Sequence, residues 1–417
     1  MILEVIILKI NYMLKRVYLD YAATAPADER VIKAMEPYFR RFFGNPSSLH
    51  YFGQQARGAM ETAREKIAHL IGAQPEEIVF TGGGTEADDF ALKGVACAAK
   101  LSGNHFITTK IEHSAILNSA KFLTKQACLP CLPAGRPDRQ GFVVTYLSPQ
   151  KDGLIKPENL RAALTDKTIL ISIMHANNEV GTIEPIKKLA EVIKKFRGAK
   201  KFPLFHIDAV QTVGHIPVDV NELGVDLLSI SAHKLYGPKG VGALYVRKGI
   251  TLEPFIHGGE QERGRRGSTE NVAGIVGFGK ACELAEQEMD AERIRLAKLR
   301  DYFIKEVMSK IERVTLNGHA TKRLPNNINL SFESIEGESM MLSLDLAGIA
   351  CSTGSACSSN TLEPSHVMLA LGVNPEMAHS SLRFTLGKET TKQDLDYTVN
   401  QLVKIIKRLR DISPYKH

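Results

Sequence analysis

The chain has 417 residues, of which 44% are hydrophobic, so it can bury a large core and is expected to divide into two domains. Charged residues make up 24%, and the formal net charge of +7 is carried by scattered lysines and arginines. This composition is that of a globular protein, and without a basic stripe interleaved with aromatic residues it argues against direct nucleic-acid binding.

The amino-terminal stretch is predicted to lie outside the fold. Its apolar run, Ile2–Ile10, is interrupted by Glu4 and Lys9 and is shorter than the about 20 residues of a membrane-spanning helix. No small-residue cleavage site follows it, so a signal peptide is not predicted. We treat residues 1–13 as an uncertain extension and expect a cytoplasmic protein, which six irregularly spaced cysteines also favour.

Helical and strand patterns alternate after this stretch. From Gln54 to Ile71 apolar residues recur at helical spacing, and Gly72 follows as a stop signal. Short runs rich in β-branched residues then predict seven strands, at Ile78–Phe80, Phe106–Thr108, Val143–Leu147, Ile169–Met174, Leu204–Ile207, Leu227–Ile230 and Ala243–Val246. Helical patterns lie between several of them, at Glu86–Lys100, Ser114–Gln126 and Ile186–Phe196. The alternation predicts an α/β fold with a mainly parallel sheet covered by helices.

After Asn271 the pattern changes to long helices, from Val272 to about Lys310 and from Lys392 to Arg410. We expect residues 272–417 to form a smaller α+β domain, residues 30–271 to form the large domain, and residues 14–29 to join the small one. Open parallel sheets bind ligands beyond the carboxyl ends of their strands. The polar residues that follow predicted strands are therefore candidates for one site: Gly82–Thr85, His113, Asn178, Asp208 and Lys234.

A lysine and an aspartate follow two of these strands. Lys234 ends the sequence Ser231-Ala232-His233-Lys234, and Asp208 closes His206-Ile207-Asp208. A lysine amine can form a Schiff base with the aldehyde of pyridoxal 5'-phosphate (PLP), and a carboxylate can keep the pyridine nitrogen of that cofactor protonated. The pair predicts a PLP enzyme.

A glycine-rich segment, Thr81–Glu86, joins a predicted strand to a predicted helix. Backbone N–H groups and the helix dipole form an anion site at such a junction, and Thr85 can add a hydroxyl. The segment lacks both the Walker ending and the dinucleotide spacing, and a triple glycine alone is equally consistent with a plain turn. With Ser231 and His233 as further donors beside Lys234, it predicts a phosphate cradle.

Three more polar residues are candidates for proton transfer or substrate binding. His113 ends a strand segment, where an imidazole can stack on a cofactor ring, although a helix-capping or core histidine is the ordinary alternative. Asn178 follows a strand and can bind a cofactor or substrate oxygen or simply shape a turn. Arg383 can fork onto a carboxylate or form a structural ion pair.

Two segments that contain cysteines are expected to have different roles. Residues Cys351–Ser359 are small, polar and glycine-containing, as in exposed loops that carry catalytic groups, and Cys357 lies within them. An inert buried thiol is the alternative for any single cysteine. Cys128 and Cys131 form C-x-x-C in a proline- and glycine-rich segment, which we interpret as a surface insertion because no second ligand pair supports a zinc site.

Together these residues resemble the cysteine desulfurases of the IscS/NifS type, PLP enzymes of the class V aminotransferase group. The resemblance covers about residues 17–413 and rests on ordered motifs: Tyr18–Thr24, Gly44–His50, Met174–Gly181, His206–Gln211, Ser231–Gly240, His257–Gly259, Gly267–Asn271, Ser355–Ser358 and His379–Gly387. It implies the fold type I of PLP-dependent transferases, with a seven-stranded, mainly parallel sheet and a smaller α+β domain, and it implies a homodimer.

The resemblance also implies roles for single residues. Lys234 would carry the cofactor as a Schiff base, Asp208 would pair with the pyridinium nitrogen, and His113 would stack on the ring as acid and base. Asn178 and Arg383 would bind the substrate carboxylate, and Cys357 would be the nucleophile. The remaining implied cofactor contacts are Gln211 to the ring hydroxyl and, around the phosphate, Gly84, Thr85, Ser231, His233 and Thr269 of the partner subunit.

The implied reaction converts L-cysteine to L-alanine and leaves a persulfide on Cys357, from which the sulfur passes to an iron–sulfur scaffold or a tRNA-thiolation protein. No direct contact with nucleic acid or membrane is implied, and no resident metal, although Cys357 could transiently ligate a nascent cluster. Three departures from the family are the segment 128–140, the order Gly267-Ser268-Thr269 and the short end at Pro414–His417, which weakens the implied scaffold docking.

Other functions remain open on the sequence. A selenocysteine lyase shares part of the resemblance and would be nearly inert with L-cysteine. An ordinary PLP aminotransferase or β-eliminating lyase fits Lys234 and Asp208 but leaves Cys357 without a role. A scaffold that has lost its chemistry is disfavoured by the intact Lys234, Asp208 and His113.

Overall fold

The computed structural model describes residues 15–99, 101–125, 141–353 and 364–412. Cys128, Cys131 and Cys357 lie outside these ranges, as do residues 1–13. Two compact units divide the chain: a larger one of residues 24–178 and 182–290, and a smaller one formed by the described residues of 1–23, 179–181 and 291–417. None of the described helices is long and apolar enough to cross a membrane.

The strands in chain order are β1 (Val17–Tyr18), β2 (Ile78–Thr81), β3 (His105–Thr109), β4 (Val143–Leu147), β5 (Thr168–Ser172), β6 (Leu204–Asp208), β7 (Leu227–Ser231), β8 (Gly242–Val246), β9 (Val314–Leu316), β10 (Asn327–Phe332), β11 (Ile349–Ala350), β12 (Ser352–Thr353) and β13 (Ser381–Thr385). The helices are Glu29–Met35, Pro37–Arg40, Tyr51–Leu70, Gly84–Ala98, Ser114–Lys125, Pro157–Ala163, Ile186–Arg197, Val220–Leu223, Gln261–Gly264, Val272–Lys310, Gly337–Leu346, His366–Ala370, Pro375–His379 and Lys392–Ile412.

The larger unit is built on a seven-stranded sheet in the order β2-β8-β7-β6-β5-β3-β4. Neighbours pair in parallel from β7 to β4, whereas β8 is antiparallel to both β7 and β2. This confirms the predicted mainly parallel, seven-stranded sheet. The exception has a local cause, because only the short turn Ala232–Lys234 and a loop connect β7 to β8, and parallel neighbours require a longer crossover.

Apolar side chains cover both faces of this sheet. One face packs Leu170, Leu204 and Leu227 against the helices Gly84–Ala98 and Ser114–Lys125. The other packs Ile171, Phe205 and Leu228 against the helices Tyr51–Leu70 and Ile186–Arg197. The strands from β2 to β8 are buried along their length, as their near-continuous apolar runs predict, except the edge strand β4, of which only Leu147 is fully buried.

A buried ion pair fixes the edge strand β2, which leads into the glycine-rich loop. The guanidinium of Arg64 donates to both carboxylate oxygens of Glu262 at 2.8 Å, and their side chains are 4% and 2% exposed. Arg64 also donates to the carbonyl of Ile78, and the N–H of Phe80 donates to Glu262. Glu262 therefore holds the backbone of β2 as well as a cation.

We expect Glu262→Ala to lower the free energy of unfolding by about 3–5 kcal/mol. It removes the buried carboxylate from the Arg64 guanidinium, which keeps only the partly exposed Glu61 and the Ile78 carbonyl as partners, and it leaves the N–H of Phe80 without its acceptor. Lys200→Ala is the control, since Lys200 pairs with Asp166 at 3.0 Å with both side chains largely exposed, and such pairs contribute less than about 1 kcal/mol. Equilibrium unfolding in urea measures both. Equal losses for the two variants would contradict a structural role for Glu262.

The smaller unit contains a four-stranded antiparallel sheet in the order β12-β13-β10-β9, and β1 pairs in parallel with β11. Its core includes Phe303, Phe332 and Phe384, with the apolar stripe of the helix Lys392–Ile412 packed on it. This part of the molecule is the α+β architecture expected from the sequence.

Candidate active site

The predicted site residues of the larger unit lie at one edge of its sheet. Because β2, β3, β5, β6 and β7 run in the same direction, their carboxyl ends meet there. Asp208 ends β6, and the segments that follow the other four strands carry the glycine-rich loop, His113, Asn178 and Lys234. The fold thus brings to one edge groups that are distant in sequence, as sheets of this type do at their ligand sites.

Asp208 is the last residue of the central strand β6 and is 7% exposed. The N–H of Val210 donates to its Oδ1 at 2.9 Å. Burial raises the pKa of Asp208, and the nearby His113, the Val210 bond and Lys234 counteract that rise in part. A buried carboxyl of this kind is suited to pairing with a cationic nitrogen, which would hold it ionised.

Lys234 ends the short turn that follows β7 and is half-buried. Its carbonyl lies 3.0 Å from Nε2 of His215, which fixes the backbone of the turn. Since the side chains of both Lys234 and His113 act on the pKa of Asp208, these three predicted residues share one electrostatic environment. A lysine amine and a carboxyl are present together, as Schiff-base chemistry on a pyridine ring requires.

The glycine-rich loop packs closely against this group. Gly84 begins the helix Gly84–Ala98, and a Cβ placed on it would lie 2.8 Å from Val210 Cγ2 and 3.4 Å from Ser231 Cβ. Gly83 has a φ of +152°, which side-chain-bearing residues rarely adopt. Thr85 is exposed in the first turn of the helix, so its hydroxyl and the N–H groups there can meet an anion.

The two other predicted phosphate donors lie at the end of β7 and in the turn that follows it. Ser231 is the last residue of β7 and is 2% exposed. His233 Nδ1 lies 3.1 Å from the hydroxyl of Thr24. Burial, with repulsion from Lys234 and Lys239, lowers the pKa of His233 to about 4, so its ring is neutral at physiological pH. It can therefore contribute a hydrogen bond but not a charge.

His113 caps the helix Ser114–Lys125. Its Nδ1 accepts the N–H of Ala115 at 3.2 Å, and its carbonyl accepts the N–H of Ile116. The ordinary alternative of a helix-capping histidine is thus part of the structure. Capping also has a chemical consequence: because Nδ1 accepts a hydrogen bond, the neutral ring carries its proton on Nε2.

The remaining predicted residues of the larger unit are less enclosed. Gln211 and Asn178 are half-buried, the first just after Asp208 and the second after β5. Thr269 is exposed and lines a cavity of about 210 Å³, which it shares with Thr81, Gly82 and Arg266 of the same chain. Thr269 therefore lies beside the glycine-rich loop within a single chain.

Arg383 belongs to the smaller unit, where it lies on β13 and is 3% exposed. Its Nη2 donates to Oδ1 of Asp20 at 2.9 Å, so the structural ion pair considered above is present. Cys357 lies outside the described residues. Cys351, six residues earlier in the sequence, is half-buried, and burial raises the pKa of that thiol.

Sequence reasoning missed several buried polar groups behind the site. His206, two residues before Asp208, lies between the hydroxyls of Ser172 and Ser229 at 2.9 and 3.0 Å, and burial lowers its pKa to about 3. Burial and the nearby Asp208 raise the pKa of Asp88 well above its usual range. The available signal was the presence of ionisable residues inside predicted buried elements.

These residues fit PLP. Gly84 keeps the start of the helix free of a side chain beside Ser231, where backbone N–H groups can meet a phosphate. The buried Asp208 suits a pyridinium, and Lys234 offers an amine. Within the described ranges no group of three or more His, Cys, Asp or Glu side chains could hold a metal ion.

The family model described as aminotransferase class-V matches residues 17–398. A protein named cysteine desulfurase IscS from Dictyoglomus turgidum is 57% identical over 404 residues, which cover 97% of this chain and 98% of the relative. A protein of the same name from Methanosarcina thermophila is 49% identical, with 96% and 94% covered. A solved structure described as a NifS-like protein matches with a TM-score of 0.86 at 38% identity, over 95% of this chain and 100% of that one.

These matches confirm the resemblance read from the motifs, and they extend over nearly the whole chain. The relatives carry the name of one activity, and the TM-score of the matched structure shows that it shares the fold of this chain. The chain therefore belongs to the class-V aminotransferase family, as a cysteine desulfurase.

Proposed function

We propose that this desulfurase binds PLP at Lys234, between the glycine-rich loop and Asp208, and that Cys357 receives the sulfur of L-cysteine. The observation that carries the proposal is the placement of the buried Asp208 with His113 and Lys234 at the sheet edge. When bound, PLP supplies an electron-accepting ring that weakens the bonds at the Cα atom of an amino acid.

Each residue of the chain has a distinct task in this proposal. Asp208 holds the proton on the pyridine nitrogen, and the loop with Gly84 and Thr85, together with Ser231 and His233, binds the phosphate. His113 transfers a proton at Nε2, because its Nδ1 is engaged by Ala115. Gln211 contacts the ring hydroxyl, while Asn178 and Arg383 bind the substrate carboxylate.

Sulfur transfer in the proposal is a displacement at sulfur. The thiolate of Cys357 attacks the sulfur of L-cysteine, and an S–S bond forms as the C–S bond breaks. The electron pair of the broken bond stays with the carbon fragment, which takes up a proton and leaves as L-alanine. The product on the protein is a persulfide at Cys357.

The same proposal includes the setting of the reaction. The enzyme acts as a cytoplasmic homodimer, with Thr269 contributed to the phosphate site of the partner subunit. The persulfide sulfur passes to an acceptor protein, either an iron–sulfur scaffold or a tRNA-thiolation protein. Support for these points comes from the family motifs at Gly267–Asn271 and Ser355–Ser358.

The test is peptide mass spectrometry after brief incubation of the holoenzyme with L-cysteine and without reductant. We expect one added sulfur on the peptide that contains Cys357 and one free L-alanine for each sulfur. Cys282 and Cys351 are internal controls, because burial raises the pKa of both thiols and disfavours the reactive thiolate. L-Alanine without sulfur on Cys357, or sulfur on a control peptide, would overturn the assignment of the nucleophile.

A further inference from the structure

Glu112, immediately before His113, is a carboxyl for which the proposed function has no use. It is 0% exposed, and its Oε1 accepts two hydrogen bonds: from the hydroxyl of Thr109 at 2.7 Å and from the N–H of Met174 at 3.0 Å. Thr109 is the last residue of β3, and Met174 follows β5. Since β3 and β5 are neighbours in the sheet, Glu112 joins the segments that leave two adjacent strands.

Asn177 makes a second connection between the same two segments, this time from the segment after β5 to the segment after β3. It is 0% exposed, and its Nδ2 donates to the carbonyl of Ile111 at 2.8 Å. Its own N–H donates to the carbonyl of Thr182, which holds the segment after β5 in a bridge at Ala176 and Ile183. Each segment thus sends one buried side chain to the backbone of the other.

The residues next to this pair are site residues. His113 follows Glu112 directly, and Asn178 follows Asn177 directly. We infer that Glu112 and Asn177 are positioning residues that lock the segments carrying His113 and Asn178 to each other. The inference rests on the proposed function of His113 in proton transfer, and neither Glu112 nor Asn177 is assigned a contact with substrate or cofactor.

The reason for such a lock is geometric. His113 must present Nε2 to a reacting atom, and a displacement of about 1 Å at such a group can cost about 10²-fold in rate. The segment between β3 and the helix Ser114–Lys125 is short, so its position depends on the buried bonds that it makes. The hydrogen bonds of Glu112 and Asn177 suit this task because they bury little charge. Burial raises the pKa of Glu112 to about 8, so its carboxyl is mostly protonated at neutral pH.

Because Glu112 is mostly protonated at neutral pH, glutamine can replace it with little change of charge. Glu112→Gln keeps an Oε1 that can accept from Thr109 and Met174, whereas Glu112→Ala removes the acceptor. Thr109→Val is the second variant if alanine prevents folding. It keeps the shape of the side chain and removes the donor to Glu112 together with the longer bond, 3.3 Å, that the hydroxyl accepts from the N–H of Ile111. Glu77→Ala is the matched control. Glu77 is buried and also accepts two hydrogen bonds, in its case both from backbone N–H groups, those of Gln74 and Lys248, but it precedes β2 at the other end of the strands.

Amide hydrogen exchange of the cofactor-free protein is the first measurement, followed by mass spectrometry of peptides that cover residues 109–117 and 173–178. We expect Glu112→Ala to speed exchange in these peptides at least about tenfold and Thr109→Val severalfold. Glu112→Gln should stay within about threefold of the unchanged protein, and so should Glu77→Ala in these peptides. Unchanged exchange in both Glu112→Ala and Thr109→Val would overturn the inference, as would equal loosening in Glu77→Ala.

The second measurement is the rate at which the holoenzyme exchanges the Cα hydrogen of L-alanine in D2O, followed by proton NMR. We expect Glu112→Ala to slow this exchange about tenfold to a hundredfold and Glu112→Gln to restore it. His113→Ala distinguishes the inferred lock from the proposed role of His113 in proton transfer. If Glu112→Ala loosens the segment while His113→Ala leaves the NMR rate unchanged, the lock is supported and the proposed role of His113 fails.

Discussion

Replacing Lys234 by alanine is expected to lower the formation of L-alanine from L-cysteine by about 10³-fold or more. The change removes the amine that is proposed to anchor the cofactor, at a position beside the buried Asp208 at the carboxyl edge of the sheet. Without that anchor PLP is held only by the phosphate cradle and the ring contacts. Dialysis should therefore remove the yellow colour of the variant but not of the unchanged enzyme. An assay of L-alanine and the visible spectrum after dialysis measure the two effects.

A second lysine provides the matched control for this experiment. Lys248 lies just after β8 and is exposed, so Lys248→Ala removes an amine of the same chemistry without touching the site. We expect its rate to stay within about twofold of the unchanged enzyme. A Lys234→Ala variant that remained yellow after dialysis and kept most of its rate would refute the assignment of the cofactor amine.

The sequence predicts the sheet well because burial acts on each strand separately. The seven predicted strands lie within one or two residues of those observed, from β2 to β8. All but the edge strand β4 are fully buried, so they appear as apolar runs whatever their neighbours are. The reversed direction of β8 was not predicted. It depends on the turn at Ala232–Lys234, whose length and shape do not follow from periodicity.

The candidate site likewise contains some residues that the sequence predicts and others that it does not. Lys234, Asp208 and the glycine-rich loop could be found from residue chemistry, since each follows a recognisable strand. The groups that support them could not. The bond between Arg64 and Glu262 joins residues 198 positions apart, and a single sequence carries no sign of such a pair. His113 was found, yet its capping of the next helix and its tie through Glu112 appear only in three dimensions.

Asp208→Asn is expected to lower the rate of L-alanine formation by about 10²-fold or more while the cofactor stays bound. The carboxylate is the residue proposed to keep the pyridine nitrogen protonated, and a neutral amide of the same shape cannot stabilise that positive charge. The proposed covalent anchor at Lys234 is untouched, so the protein should remain yellow after dialysis. The measurement is the initial rate at saturating L-cysteine, with the visible spectrum recorded on the same sample.

Asp88→Asn tests whether the charge at Asp208, rather than buried carboxyls in general, is what matters. Asp88 is 1% exposed and close enough for Asp208 to contribute to the raised pKa of its carboxyl. Because burial raises the pKa of Asp88 and so favours its neutral form, the isosteric and neutral asparagine should be tolerated there, and we expect a rate within about threefold of the unchanged enzyme. Equal losses in the two variants would mean that one negative charge is shared between Asp88 and Asp208. A large loss confined to Asp208→Asn places the charge on the residue at the end of the central strand, where the proposed pyridine contact lies.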